Sequence, residues 1–281
     1  MLSSQYRKMD SIIADGDILK ITEYVPHGYE NSVVLTQKIW FGFGGIPLFN
    51  ENITSVKQQL ALLNRPVPPL FNNENELFRI IKRLLNRMRY FRSGIITFHI
   101  FAGKVETHFL IKAIAFDDFV FPISKKGLQI NHSELVKYSK NPYSKYGFFN
   151  VPLWNIAEVP LVNTLVTNTI FVNENNSVTE CIGANIFAVK GRELFTPAID
   201  TGCYIDTLRS FILEAGAGCS LKIIENSRLT KEELIQMNEI FIASEEKGIE
   251  WVMGIQNRRF VHQVSDEVQL KLNEILKAKV V

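Results

Sequence analysis

The sequence predicts a mixed α+β protein of two domains, and three observations carry that prediction. Short apolar runs of strand length, broken by glycine turns, recur along the chain. Two amphipathic helices sit within the first half. In the second half strands and helices follow one another without a repeated βα unit, which argues against a doubly wound parallel sheet. The polar pair Asp117-Asp118, followed by Pro122, places the boundary: a smaller α+β domain over 1–118 and a larger mixed domain over 119–281.

In chain order, Ile12-Ile13-Ala14 and Ile18 to Ile21 flank Asp15-Gly16, the signature of a tight hairpin turn. Val33 to Phe41 reads as a second strand, and Gly42-Phe43-Gly44-Gly45 as a glycine turn into a further strand over Ile46 to Phe49. A phosphate loop would need a helix after those glycines. Asn52 to Leu63 reads as a short helix, stopped by Asn64 and Pro66. Asn73 to Met88 reads as a stronger one, with Leu77, Phe78, Ile80, Ile81, Leu84, Leu85 and Met88 on its apolar face. Its basic residues Arg79, Lys82, Arg83 and Arg87 form a solvated face. Ile95 to Phe101 and Thr107 to Ala115 pair as strands.

The stretch Lys125 to Asn150 interleaves Tyr138, Tyr143 and Tyr146 with Lys125, Lys126, Lys137, Lys140 and Lys145. Without a basic surplus elsewhere, this is no nucleic-acid platform. Asn185 to Val189 and Glu193 to Thr196 form a hairpin around Lys190-Gly191-Arg192, and Asp200-Thr201-Gly202 turns towards a helix from Thr207. Leu221 to Ile224 and Ile240 to Ser244 read as strands. Between them Thr230 to Met237 is a helix with Thr230 and Glu233 as a capping box. Ile249 to Ile255 pairs with Arg259 to Val261, and Ser265 caps a last amphipathic helix.

With 281 residues, 46% of them hydrophobic and 21% charged, the chain buries a substantial core. A formal charge of +2 argues for neither nucleic acid nor an anionic membrane as partner. Cys181, Cys203 and Cys219 are odd in number and lack metal-ligand spacing, so reduced thiols, no metal and a cytoplasmic location are expected. The start, Met1-Leu2-Ser3-Ser4-Gln5, is polar and no long apolar segment follows, so no signal peptide or membrane span is expected.

From Thr179 to Arg209 one pattern stands out: Glu180, then Asn185-Ile186-Phe187, Leu194-Phe195-Thr196, Gly202-Cys203 and Arg209. In order and spacing it resembles the signature of the class IV pyridoxal-phosphate (PLP) enzymes of fold type IV. That family includes branched-chain and D-amino acid aminotransferases and 4-amino-4-deoxychorismate lyases. The resemblance implies the two-domain fold type IV architecture, with a cleft between the domains lined by Glu180, Asn185 and the helix start at Thr207. It also implies PLP as cofactor, an amino acid or aminodeoxychorismate-like substrate, and a homodimer. Trp40, Phe41 and Phe43 are the candidates for a subunit contact.

PLP chemistry needs a lysine for the Schiff base, a carboxylate at the pyridine nitrogen and a pocket for the phosphate. By resemblance Glu180 is the carboxylate. Asn150-Val151-Pro152-Leu153-Trp154 resembles the segment that follows the family's lysine, and Ser144 a serine just upstream of it. Counting back without a gap lands on Gly147 or Tyr146. One inserted residue brings Lys145 into register, and Lys145 is the candidate. In the phosphate pocket the family's arginine falls on Ser55, its Gly-aliphatic-Thr on Asp206-Thr207-Leu208, and its third contact, in the segment after Ser244, on Glu245. A guanidinium is lost and two carboxylates are gained. At an effective dielectric of 20, two like charges about 6 Å apart repel by nearly 3 kcal/mol. Weak or absent PLP binding is therefore expected. Two functions stay open: a class IV aminotransferase or lyase, and a non-catalytic homologue that binds another small molecule or serves as a structural partner.

Overall fold

The computed structural model describes residues 10–25, 29 and 32–280. The polar reading of Met1 to Gln5 lies outside the described residues. The chain divides into two compact units, Met1–Phe121 with Leu276–Val281, and Pro122–Ile275.

The first unit holds strands β1 (Ser11–Ala14), β2 (Asp17–Lys20) and β3 (Val33–Phe41), helices α1 (Phe49–Leu62), α2 (Pro69–Asn72) and α3 (Glu74–Arg87), then β4 (Ser93–Ala102) and β5 (Thr107–Phe116). Its antiparallel sheet runs β2-β1-β5-β4-β3. Alternation supplies the core from the sheet, with Ile96, Phe98 and Ile100 fully buried on β4, while α1 adds Ile53, Val56 and Leu60, and α3 adds Leu77, Ile81 and Leu84. Asn73 caps α3 by accepting the Glu76 N–H at 3.2 Å.

Two expectations in this unit change. Ile46 to Phe49 is no strand: Gly42 and Gly45 exchange backbone hydrogen bonds, and α1 begins already at Phe49. Buried Leu48 and Phe49 anchor the early start, and the Asn52 amide donates to the Leu48 carbonyl at 2.7 Å. Trp40 and Phe41 are 1% and 3% exposed, with Trp40 edge-on to Phe43 and Phe121. They are core side chains and cannot meet a second subunit.

The second unit holds β6 (Leu128–Lys137), α4 (Gly147–Glu158), β7 (Asn168–Asn173), β8 (Val178–Cys181), β9 (Asn185–Lys190), β10 (Glu193–Pro197), α5 (Arg209–Gly218), β11 (Lys222–Asn226), α6 (Lys231–Leu234), β12 (Glu239–Ser244), β13 (Gly248–Ile255), β14 (Arg258–Arg259) and α7 (Val264–Ala278). The mixed sheet runs β11-β10-β9-β12-β13-β6-β7-β8, with β14 on β13. Its β10–β11, β13–β6 and β6–β7 pairs are parallel. The sheet has two faces. Ile186, Ala188, Ile240 and Ile242 pack one core with Ile130, Ile170 and Val252. Phe187 and Phe241, one residue off in each strand, stack with each other.

Here the structure places one segment left unassigned above and amends one reading. Asn150 to Trp154 lies in helix α4, with Pro152 inside the helix, where it removes one i→i−4 hydrogen bond. Ser265 does not cap α7. The Glu239 carboxylate on β12 accepts the N–H groups of Val264 (2.8 Å) and Ser265 (2.7 Å), so one anion satisfies two helix donors. The capping box of Thr230 and Glu233 is present at α6. Among the described residues no helix is long and apolar enough to cross a membrane, and no group of three or more His, Cys, Asp or Glu side chains is placed to hold a metal ion.

Candidate functional site

Lys137 ends β6 and Glu180 lies on β8, and both side chains are closed off from solvent, at 2% and 0% exposure. The Lys137 ammonium donates to both Glu180 oxygens, at 2.5 and 2.7 Å, and to the Ser144 carbonyl at 3.2 Å. Glu180 accepts two further donors: the Trp154 indole N–H from α4 at 3.2 Å and the Tyr204 backbone N–H at 2.6 Å. Burial pushes the Glu180 carboxyl above its ordinary range, and the ammonium and the two N–H groups oppose that push. The Trp154 and Tyr204 rings meet edge to face at 4.9 Å, in an apolar cluster with Leu135 and Phe171.

The turn that brings Tyr204 to Glu180 needs a glycine. Gly202 has φ +76, and a Cβ there would stand 2.7 Å from the Ser139 Cα and 3.1 Å from its carbonyl oxygen. The backbone after Thr201 thereby passes against the end of β6. Gly202→Ala is expected to destabilise the protein by roughly 2–3 kcal/mol, from the left-handed strain and the backbone clash together. Urea unfolding checks this, and a loss well under 1 kcal/mol would contradict the close approach.

Beyond Tyr204 a second cluster forms around Asp206. Its Oδ1 accepts the N–H groups of Leu208 (2.9 Å) and Glu245 (3.1 Å), and its Oδ2 the Tyr204 hydroxyl at 3.2 Å. Burial raises the Asp206 carboxyl to about 6, against the pull of those three donors. Burial, and the Asp206 carboxylate beside it, also push the Tyr204 hydroxyl well above its usual range. Asn185 ties the loop to the sheet: its Oδ1 accepts the Asp206 N–H at 3.0 Å and its amide donates to the Tyr204 carbonyl.

Glu180, Asn185, Leu208 and Glu245 thus converge with Asp206 in one part of the second unit. Thr207 lies in the turn before α5, and the buried Ser244 hydroxyl accepts the Lys247 N–H at 3.2 Å. Ser55 lies on α1 of the first unit, where its hydroxyl accepts from the Gln59 amide at 3.3 Å. Lys145 is exposed, its ammonium 5.1 Å from the centre of the Tyr146 ring. Arg209 points elsewhere, donating to the Pro197 carbonyl and to Glu225, both at 2.8 Å.

Lys137 is the residue that sequence reasoning missed. It sits among the lysines and tyrosines interleaved from Lys125 to Asn150, and Asn150, the anchor for counting back, lies on a helix. The available signal was its place at the end of a ten-residue strand, two residues after Leu135 and hence on the same face.

Residues 160–249 match the family described as Amino-transferase class IV. Over 75 residues the chain is 33% identical to the aminodeoxychorismate lyase of Bacillus subtilis (strain 168), a match covering 27% of this chain and 25% of that protein. The alignment therefore spans about a quarter of the curated relative's length. The whole fold is similar to that of the branched-chain amino acid aminotransferase from Thermobaculum terrenum in its PLP-bound form. There the TM-score is 0.82 at 15% identity, covering 96% of this chain and 95% of that one. For a putative 4-amino-4-deoxychorismate lyase from Legionella pneumophila the TM-score is 0.73 at 19% identity, covering 87% and 91%. At such identities a structural likeness speaks for the fold and not for the reaction. In fold, and over the segment 160–249, this chain resembles the class IV (fold type IV) pyridoxal-phosphate enzymes.

Proposed function

We propose that this protein keeps the class IV fold while its cofactor site has left PLP chemistry, and that it serves as a small-molecule-binding or structural homologue. The observation that carries this reading is the direct contact of Lys137 with Glu180. In PLP the imine carbon and the ring nitrogen stand para to each other. A lysine and a carboxylate that serve them are therefore separated by the ring itself. Here they touch, and Glu180 has its oxygens taken by Lys137, Trp154 and the Tyr204 N–H. The phosphate end supports the same reading, because the N–H groups of Leu208 and Glu245 are held by Asp206. Both contacts support the reading that these residues do not fit PLP.

One observation favours a second reading, a working aminotransferase or lyase acting on an amino-group substrate. Lys137 is a buried amine against the carboxylate at the family's ring-nitrogen position. In that case Lys137, and not the exposed Lys145, is the lysine to test. Titration of the purified protein with PLP, borohydride reduction and peptide mass analysis separates the two. No label, or scattered surface labelling, is the expected result. Stoichiometric labelling of Lys137 or Lys145 would overturn the first reading in favour of the enzyme. The homodimer implied by the resemblance is retained in both readings. Sedimentation showing only monomer at micromolar concentration would count against it.

A further inference from the structure

Three donors from three positions in the chain meet at Asp206: the Leu208 N–H at the start of α5, the Glu245 N–H after β12 and the Tyr204 hydroxyl. Converging backbone N–H groups at a helix start form the kind of site that holds a small oxyanion. The group held here is the chain's own carboxylate, on a residue 9% exposed. Asn185 fixes the Asp206 backbone from the sheet, so the carboxylate is placed and not merely nearby.

We propose that Asp206 is an internal anion seated where this fold would otherwise admit a phosphate group, so that one side chain excludes phosphate esters. The inference rests on the reading above that the site no longer takes PLP, and it names the residue responsible. Lys137 matches it at the other end, where its ammonium contacts Glu180, the residue that by resemblance would partner a ring nitrogen. The two charged ends of a phosphorylated pyridine are thus supplied by the protein's own side chains. A tethered side-chain oxygen that already holds the Leu208 and Glu245 N–H groups competes as an intramolecular ligand at high effective concentration.

The probe is inorganic phosphate, measured by isothermal titration calorimetry at pH 8 on the wild-type protein and on Asp206→Ala, Asp206→Ser and Asp206→Asn. The alanine and serine variants remove the carboxylate and are expected to bind phosphate saturably, at least about tenfold more tightly than wild type. The asparagine variant keeps an oxygen on the Leu208 and Glu245 N–H groups and is expected to match wild type. Thermal melting with and without phosphate reads the same effect if a variant folds poorly, because a ligand of the folded state raises its stability. The proposal is overturned if neither the alanine nor the serine variant responds to phosphate. It is equally overturned if wild type or the asparagine variant binds as tightly as they do. No PLP enters this measurement, so its failure stays distinct from a labelled lysine in the wild-type protein, which would overturn the cofactor reading instead.

Discussion

Lys137→Met is expected to destabilise the protein by about 3–5 kcal/mol, the loss typical when one partner of a buried ion pair is removed. The methionine fills most of the volume of the lysine stem, so packing accounts for little of that loss. The greater part comes from Glu180, which stays at 0% exposure with a carboxylate and only the Trp154 and Tyr204 N–H donors. Its carboxyl, already raised by burial, would rise further and take up a proton at higher pH, so the deficit should shrink as the pH falls. The double variant Lys137→Met/Glu180→Gln should recover much of the stability. It removes the unpaired charge and keeps an acceptor for the Tyr204 N–H. Urea unfolding of both variants across pH checks this. A single variant within about 1 kcal/mol of wild type would mean that water reaches Glu180 and that the pair is not closed off.

Asp206 sets the second expectation, a pH-dependent one. Its carboxyl is raised from 3.8 to about 6 in the folded protein, chiefly by burial. A carboxyl that binds its proton more tightly when folded adds stability below the unfolded value, and that stability is lost as the pH rises through about 6. Asp206→Asn carries no such charge, while its amide oxygen still accepts from Leu208 and Glu245. The stability of the variant relative to wild type should therefore increase between pH 4 and pH 7 and then level off. The total change is on the order of 3 kcal/mol. Denaturant melts of the two proteins, taken in pairs at each pH, cancel the other titrating groups to first order. A difference that is flat with pH, or one that falls, would sink the expectation.

Much of the local structure was legible in the residues. Short apolar runs of strand length set out β4, β5, β9 and β12. The Thr230-Glu233 box before α6 marked a helix start, because those side chains satisfy donors within their own turn. Glu180 and Asn185 were singled out by the ordered motif, and Asp206, Leu208 and Glu245 by the resemblance carried to the phosphate pocket; hydrogen bonds link them in the second unit. Ser265 shows where local reasoning stops: the helix start it was expected to cap is satisfied by Glu239 from a neighbouring strand. Apolar runs, turn chemistry and local caps depend on neighbours a few residues away, and these the sequence by itself determined. The tertiary structure alone decided that Lys137, and not Lys145, faces Glu180 across 43 positions of chain, and that the Glu245 N–H reaches Asp206 across 39. Those pairings follow from which strands lie side by side and from which charges burial forces to find a partner, and no local pattern along the chain encodes either.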